Sequence, residues 1–371
     1  MRLAIVTESF PSRVNGVTRT VTALTTHLRS RGHQAIIFVP GGGHRTHDGF
    51  EVIGVPGVQG WIYPDLTISP VAPGMRRRLR RFDPDAVHLA SPAALGVWGA
   101  WAARPLGVPV AAHYQTDLLA YARAYGGPSL AWMTGLAERL FYNRCTVTYA
   151  PTPPIAAELR RRGFEHVRIS GRGVDTELFH PGRPRAVEAR ARWPEGEGAR
   201  VLSVSRLARE KNLGAVVRIA LQHPELRFLI VGTGPLAGEL RGSAPSNLRL
   251  AGLLVGEPLA DTYAAADIFL HPSATETFGQ AVQEAMASGL PVVGIRAGGV
   301  GWLVEDGRTG VLVDPPGAGL GGALSRLAGG GEAAAMGAAA RRDTACRSWS
   351  ATFDTLLDEY AELSDAAFRA A

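Results

Sequence analysis

Lysine is almost missing from this chain. Of its 39 basic residues, Lys211 is the only lysine, so a drift towards arginine has spared one position. An ammonium is a compact point charge on a flexible stem and reaches a phosphate where a planar guanidinium does not fit. Cysteine is scarce too. Cys145 and Cys346 cannot form a CxxC metal framework and suggest no disulfide, so both are expected to be core or inert. No apolar run approaches the roughly 18 residues needed to span a bilayer. Met1-Arg2 leads straight into LAIVT without the apolar segment and cleavage site of a secretory signal, which makes the cytosol the expected compartment. Motifs of nucleic-acid-binding modules are absent as well, so the pI near 9.7 and formal charge of +6 point to small anionic partners or acidic lipid and to no nucleic acid.

What is present is a globular α/β pattern. With 371 residues, 46% hydrophobic and 19% charged, the expectation is two domains, each able to bury its own core. The densest signal is HPSATETFGQAVQEAMASGLPVVGIR, His271 to Arg296. It reads as strand end, loop, helix, Gly stop and buried strand. Thr277 and Gln280 have capping-box spacing, which predicts a helix from near Phe278 to Gly289. Glu276 then lies in the loop and Glu284 in the helix. Ala281, Val282, Ala285 and Met286 form the apolar stripe, so Glu284 is expected off the core face. Free N–H groups at such a helix start suit oxygen-rich or anionic ligands at the C-terminal edge of a sheet.

The ETFG start, the two glutamates eight positions apart, the run EAMASGLPVV and the Gly298-Gly299 pair are similar to the donor-site signature of family 4 retaining glycosyltransferases. That resemblance implies the GT-B fold: α/β, two Rossmann-like domains facing across a cleft. The expected division is 1–175 for the acceptor domain and 176–348 for the nucleotide-sugar donor domain, with a final helix, about 349–371, packing back on the first. Glu276, Thr277, Phe278, Gly279 and Gln280 would hold the donor sugar and Glu284 the nucleotide ribose. Gly298-Gly299 would form a flexible turn beside it.

The rest of the chain extends the likeness. The loop ESFPSRVNGV carries one glycine, Gly16, in place of the three of a dinucleotide fingerprint. By resemblance Gly16 lets backbone approach donor phosphate and acceptor, and Asn15 belongs to the acceptor side. Residues 41–74, with Trp61 and Tyr63, read as surface loops and short strands. MRRRLRRF, Met75 to Phe82, is a helix-compatible cluster in which Arg76–Arg81 could rest on anionic lipid headgroups. His88 and His113 each end a predicted strand. In HYQTDLLAYARAYGG this chain carries Gln115 where many relatives have a histidine thought to contact the donor sugar. His113 and Gln115 are two apart and can face one side of an extended segment, and Asp117 is an acceptor-side candidate. The YQTD version looks like mannosyltransferases of the phosphatidylinositol-mannoside or lipomannan type.

In the second half, VLSVS followed by RLAREKN delivers Arg206 and Lys211 at a strand end, one forked donor and one point charge for a diphosphate. The pair matches the family's phosphate-binding residues. Gly232, Gly234 and Gly238 miss the dinucleotide spacing, and close backbone packing accounts for them better. By resemblance Gly252, Leu253 and Leu254 would meet the nucleobase. The implied reaction retains anomeric configuration, needs no metal and no resident cofactor, and takes GDP-mannose in preference to UDP-hexoses. Its acceptor would be a lipid or glycan at the inner face of a membrane. A UDP-hexose-dependent lipid glycosyltransferase, a nucleotide-sugar 2-epimerase on the same fold and a non-catalytic nucleotide-sugar-binding protein are the alternatives.

Overall fold

The computed structural model describes residues 1–8, 10, 16–41, 44–59, 67–90, 94–125 and 127–370. Contacts divide the chain into two units, Met1–Arg172 with Trp349–Ala371, and Gly173–Ser348. Asn15, Trp61 and Tyr63 lie outside the described residues.

The first unit contains strands β1 (Arg2–Val6), β2 (Gln34–Pro40), β3 (His44–His47), β4 (Phe50–Val55), β5 (Val58–Gln59), β6 (Thr67–Ile68), β7 (Ala86–Leu89), β8 (Val110–His113), β9 (Val147–Ala150) and β10 (Val167–Ile169). Eight of them form one sheet in the order β10-β9-β8-β7-β1-β2-β4-β3, and β5 pairs with β6. All pairings in the large sheet are parallel except β3 with β4. The strands read as continuous apolar runs because both faces are covered. Ala4, Val6, Ile36, Phe38, Val87 and Leu89 enter the core on one face. Leu3, Ile5, Ile37, Ala86, Ala111 and Tyr149 enter the core on the other, where Phe353, Leu356, Leu357 and Tyr360 of the helix Trp349–Ala370 meet them. Those four sit at helical spacing, so one stripe of the last helix closes this core.

The second unit contains β11 (Arg200–Val204), β12 (Arg227–Val231), β13 (Leu248–Gly252), β14 (Ile268–His271), β15 (Val292–Ile295) and β16 (Gly310–Val313), ordered β13-β12-β11-β14-β15-β16. Renumbered within the unit, this is the 3-2-1-4-5-6 order of a doubly wound sheet. Leu202, Leu229, Val231, Phe269 and Val292 face one helical layer, while Val201, Phe228, Ile230, Ile268 and Val293 face the other. The period of two along every strand produces this split. The chain reverses direction of growth between β11 and β14, which are paired neighbours. In doubly wound sheets this switch point, at the C-terminal ends of those strands, is where ligands bind. Gly232 is needed here, since a Cβ there would stand 1.9 Å from the Ser205 carbonyl oxygen.

Of the cysteines, Cys145 is buried, and its thiol is pushed up to about 12 by that burial, whereas Cys346 is exposed. No helix among the described residues is long and apolar enough to cross a membrane.

Candidate functional site

The switch point of the second sheet is where the sequence placed its charged pair. The loop after β11 turns through the short 3-10 segment Arg209–Lys211, with Asn212 in the left-handed region at φ 51°. Asn212 Nδ2 donates to the Pro272 carbonyl at 3.1 Å, and Ser273 Oγ donates to the Glu210 carbonyl at 2.8 Å. These bonds tie the loops after β11 and β14 together. They set Lys211 Nζ 2.6 Å from Glu276 Oε1. His271, buried at the end of β14, stands with Nε2 3.4 Å from the same oxygen, at ion-pair distance without hydrogen-bond alignment. Burial alone would raise the Glu276 carboxyl. The Lys211 ammonium overrides it, His271 adds to the effect, and the carboxyl is held well below the usual carboxylate range.

Two chemical consequences follow. Glu276 is an ionised, acceptor-only group at neutral pH, suited to hydroxyls, and Lys211 keeps two N–H donors after its bond to Glu276. Arg206, at the exit of β11, is exposed and makes no side-chain hydrogen bond or ion pair among the described residues.

The helix after Glu276 begins later than its sequence pattern predicts. It spans Gln280–Ala287, its N-cap is Gly279 at φ 97°, and no side chain caps it. Thr277 and Gln280 therefore form no capping box, and Gln280 Nε2 instead donates to the Gly173 carbonyl at 3.0 Å. The reason lies in the neighbouring loop. Gly299 N donates to the Glu276 carbonyl at 2.8 Å, and a Cβ at Gly298 or Gly299 would fall 2.3 Å from the Glu276 oxygen or 2.2 Å from the Phe278 oxygen. Glu276 to Phe278 thus run against another backbone instead of entering the helix. The Gly298-Gly299 pair forms a turn, as expected, and it crosses close against the backbone of Glu276 to Phe278.

Phe278 is buried, with its ring 6.5 Å from that of Trp302. Glu284 corrects another expectation: it is only 3% exposed and accepts from the Tyr263 hydroxyl at 3.2 Å. The stripe on this short helix is wider than the sequence suggested, because Gln283 and Ala287 are buried too. Gly252, at φ 75°, ends β13 at a register shift, after which Leu253 is exposed and Leu254 packs on the core.

In the first unit, Gly16 is the first residue of the helix Gly16–Ser30, and a Cβ there would meet Arg172 Nη1 at 3.1 Å. Arg172 Nη2 donates to Gln115 Oε1 at 3.1 Å. His113 and Gln115 line one small cavity with Ser170 and Arg172. Asp117 is not among the residues lining that cavity; it accepts from the Tyr114 hydroxyl at 3.0 Å, with Arg162 at 3.9 Å. His88 and His113 meet, their rings 4.2 Å apart, and Tyr360 joins both. Sequence reasoning did not single out His271, Tyr263, Arg172 or Tyr360. Arg172 sits in GRGVDTELFHP, a Gly-bounded, turn-rich stretch that reads as an interdomain connection, and Tyr360 is one aromatic on an amphipathic helix.

Among the described residues no group of three His, Cys, Asp or Glu is placed to hold a metal ion.

Comparison with known proteins bears directly on this arrangement. The family described as Glycosyltransferase Family 4 matches residues 14–178, and Glycosyl transferases group 1 matches residues 198–328. The chain is 40% identical over 322 residues to the GDP-mannose-dependent alpha-mannosyltransferase of Corynebacterium glutamicum, covering 85% of this chain and 77% of that protein. It is 39% identical over 372 residues to the protein of the same name from Mycolicibacterium smegmatis, covering 97% of each. Among solved structures, sucrose-phosphate synthase from Thermosynechococcus elongatus superimposes with a TM-score of 0.82 at 21% identity over 98% of this chain and 99% of that one, a likeness of fold. Both parallel sheets are thus those of the GT-B fold, the matches run through both units, and the chain belongs to glycosyltransferase family 4.

Proposed function

We propose that this glycosyltransferase moves a mannosyl residue from GDP-mannose to a glycolipid or other cell-envelope acceptor, with retention at the anomeric carbon and without a metal ion. The observation that carries the reading is its likeness, along 97% of both chains, to a GDP-mannose-dependent alpha-mannosyltransferase. The chemistry at the switch point agrees with it. Arg206 and Lys211 receive the diphosphate, one as a forked donor and one as a point charge, and stabilise the negative charge that grows as the sugar–phosphate bond breaks. Glu276 accepts from sugar hydroxyls, and the start of the helix Gln280–Ala287 contributes its partial positive charge. Glu284, in the same helix, takes the ribose. The acceptor hydroxyl oxygen bonds to the anomeric carbon on the face the diphosphate leaves, and its proton passes to the departing phosphate oxygen.

The acceptor side belongs to the first unit, and its surface suits an anionic bilayer. On the helix Met75–Phe82, Arg77, Arg80 and Arg81 are exposed, and the Arg76 guanidinium lies 4.1 Å over the ring of Trp101, itself 54% exposed. Arg78 is partly spent on Glu51 at 3.7 Å. The helix Gly127–Tyr142 adds Trp132, 70% exposed, and Met133, 60% exposed. Each basic residue near such a surface contributes about 1 kcal/mol, and the aromatic side chains enter the headgroup layer.

A thermal-shift panel of GDP-mannose, GDP, UDP-glucose, UDP-galactose, UDP-GlcNAc and UDP tests the donor, followed by transfer assays with the best binder. Stabilisation by guanine compounds alone supports the proposal. Stabilisation by uracil compounds alone overturns the donor in favour of a UDP-hexose-dependent lipid glycosyltransferase. Release of free nucleoside diphosphate and an altered sugar without any acceptor would identify an epimerase.

A further inference from the structure

Tyr360, on the last helix, bonds to two histidines that end adjacent strands. Its hydroxyl oxygen lies 2.8 Å from His88 Nδ1 and 2.7 Å from His113 Nε2, and Tyr360 is fully buried. A phenol has one proton, so it donates to one ring and accepts from the other. If it donated to His88, that ring would carry its own proton on Nε2, which is buried with no partner. If it donates to His113, His88 gives Nδ1–H to the phenol oxygen, and the buried Nε2 holds only a lone pair. Orphaned buried N–H groups are rarer than underused acceptors. The second arrangement is therefore the stable one, and His113 carries its proton on Nδ1.

We propose that Tyr360 is a positioning residue which locks His113 as the Nδ1–H tautomer, so that His113 serves glycosyl transfer as a hydrogen-bond donor and not as a base. The proposal rests on the reading that this part of the first unit takes part in the transfer. Burial keeps both rings neutral: it lowers His88 to about 3 and drives His113 well below its ordinary value, with His88 and Arg172 adding to the effect on His113. Nδ1 is the polar ring atom left to a cavity of about 20 Å³, room for one water-sized group, that His113 lines with Gln115, Ser170 and Arg172. A guanidinium only donates, so the Gln115 oxygen faces Arg172. The His113 Nδ1–H selects a substrate oxygen acting as acceptor, from a sugar hydroxyl or from the diphosphate.

The test uses the full chain labelled with 15N-histidine, whose two-bond proton–nitrogen spectra identify each tautomer without substrate. Wild type should show His113 protonated on Nδ1. Tyr360→Phe keeps the ring and removes the hydroxyl that holds Nε2 as an acceptor, so the Nε2–H form becomes accessible and kcat should fall with the competent fraction, about twofold for an equal mixture. Tyr149→Phe removes a buried hydroxyl of the same cluster that bonds Glu359 at 2.5 Å and should leave the tautomer unchanged. GDP affinity that falls in Tyr360→Phe assigns the oxygen to the diphosphate, and unchanged GDP affinity assigns it to the sugar. Wild-type His113 protonated on Nε2 would overturn the proposal, as would a shifted tautomer with undiminished kcat. Failure of the wild-type chain to transfer mannose would strike the underlying reading alone.

Discussion

Removing Lys211 should unbalance Glu276 in a way that a second substitution repairs. The two side chains are 16% and 19% exposed and 2.6 Å apart, so the pair is largely withdrawn from water. Breaking a buried pair by removing one partner costs about 3–5 kcal/mol, because the survivor is left charged and uncompensated. For this partly exposed pair the expectation for Lys211→Met is about 2–4 kcal/mol, a fall of roughly 5–12 °C in the melting transition. The pH dependence has a definite sign. In the wild type the folded carboxyl is held below its ordinary value, so its contribution is complete above about pH 4.3 and is lost as pH falls through the depressed folded value. Without Lys211, burial dominates and the folded value rises above the unfolded one, so the group loses stability as pH increases. The deficit of Lys211→Met should therefore widen from pH 4 to pH 7. Glu276→Gln added to Lys211→Met removes the stranded charge and should restore most of the loss, while transfer stays about 10²–10³-fold down because the leaving-group cation is still missing. Urea titrations of wild type, Lys211→Met, Glu276→Gln and the double variant at both pH values, with transfer assays alongside, measure every term. Lys211→Met as stable as wild type at pH 7, or a double variant no better than the single one, would refute the reasoning.

Gly299→Ala places a methyl 2.2 Å from the Phe278 carbonyl oxygen, so it should cost about 1–3 kcal/mol and abolish the nucleotide-induced thermal shift; a shift of wild-type size would show that the crossing does not shape the donor loop. Tyr263→Phe removes the hydroxyl bonded to Glu284 and should lower stability by about 1 kcal/mol while raising KM for the donor more than it lowers kcat. Replacing the exposed Arg77, Arg80 and Arg81 by Gln should weaken binding to anionic vesicles about 100-fold, with turnover on a water-soluble acceptor preserved; salt-insensitive, unchanged vesicle binding would exclude this helix from membrane contact.

Much of the architecture was legible because it rests on local periodicity. Apolar strands alternating with amphipathic helices specify two parallel sheets wherever they occur, and Gly232 announced a close backbone approach. Lys211 was legible for a different reason: one ammonium in a chain of arginines marks a position where the point charge itself matters. Glu276 and Glu284 stood out by pattern, yet their environments did not. Pairing of Lys211 with Glu276 across 65 residues, with His271 behind them, depends on β11 and β14 being neighbours at the point where strand order reverses. The late helix start depends on Gly298 and Gly299 crossing the backbone of Glu276 to Phe278, a contact that no capping rule contains. His113 looked like a free candidate at a strand end, but Tyr360, 247 positions away, decides which of its nitrogens carries the proton. Local sequence thus determined the elements and the residue types with the right chemistry. Tertiary structure alone decided their partners, and with them their charge and tautomer, because burial and hydrogen bonding act through space and not along the chain.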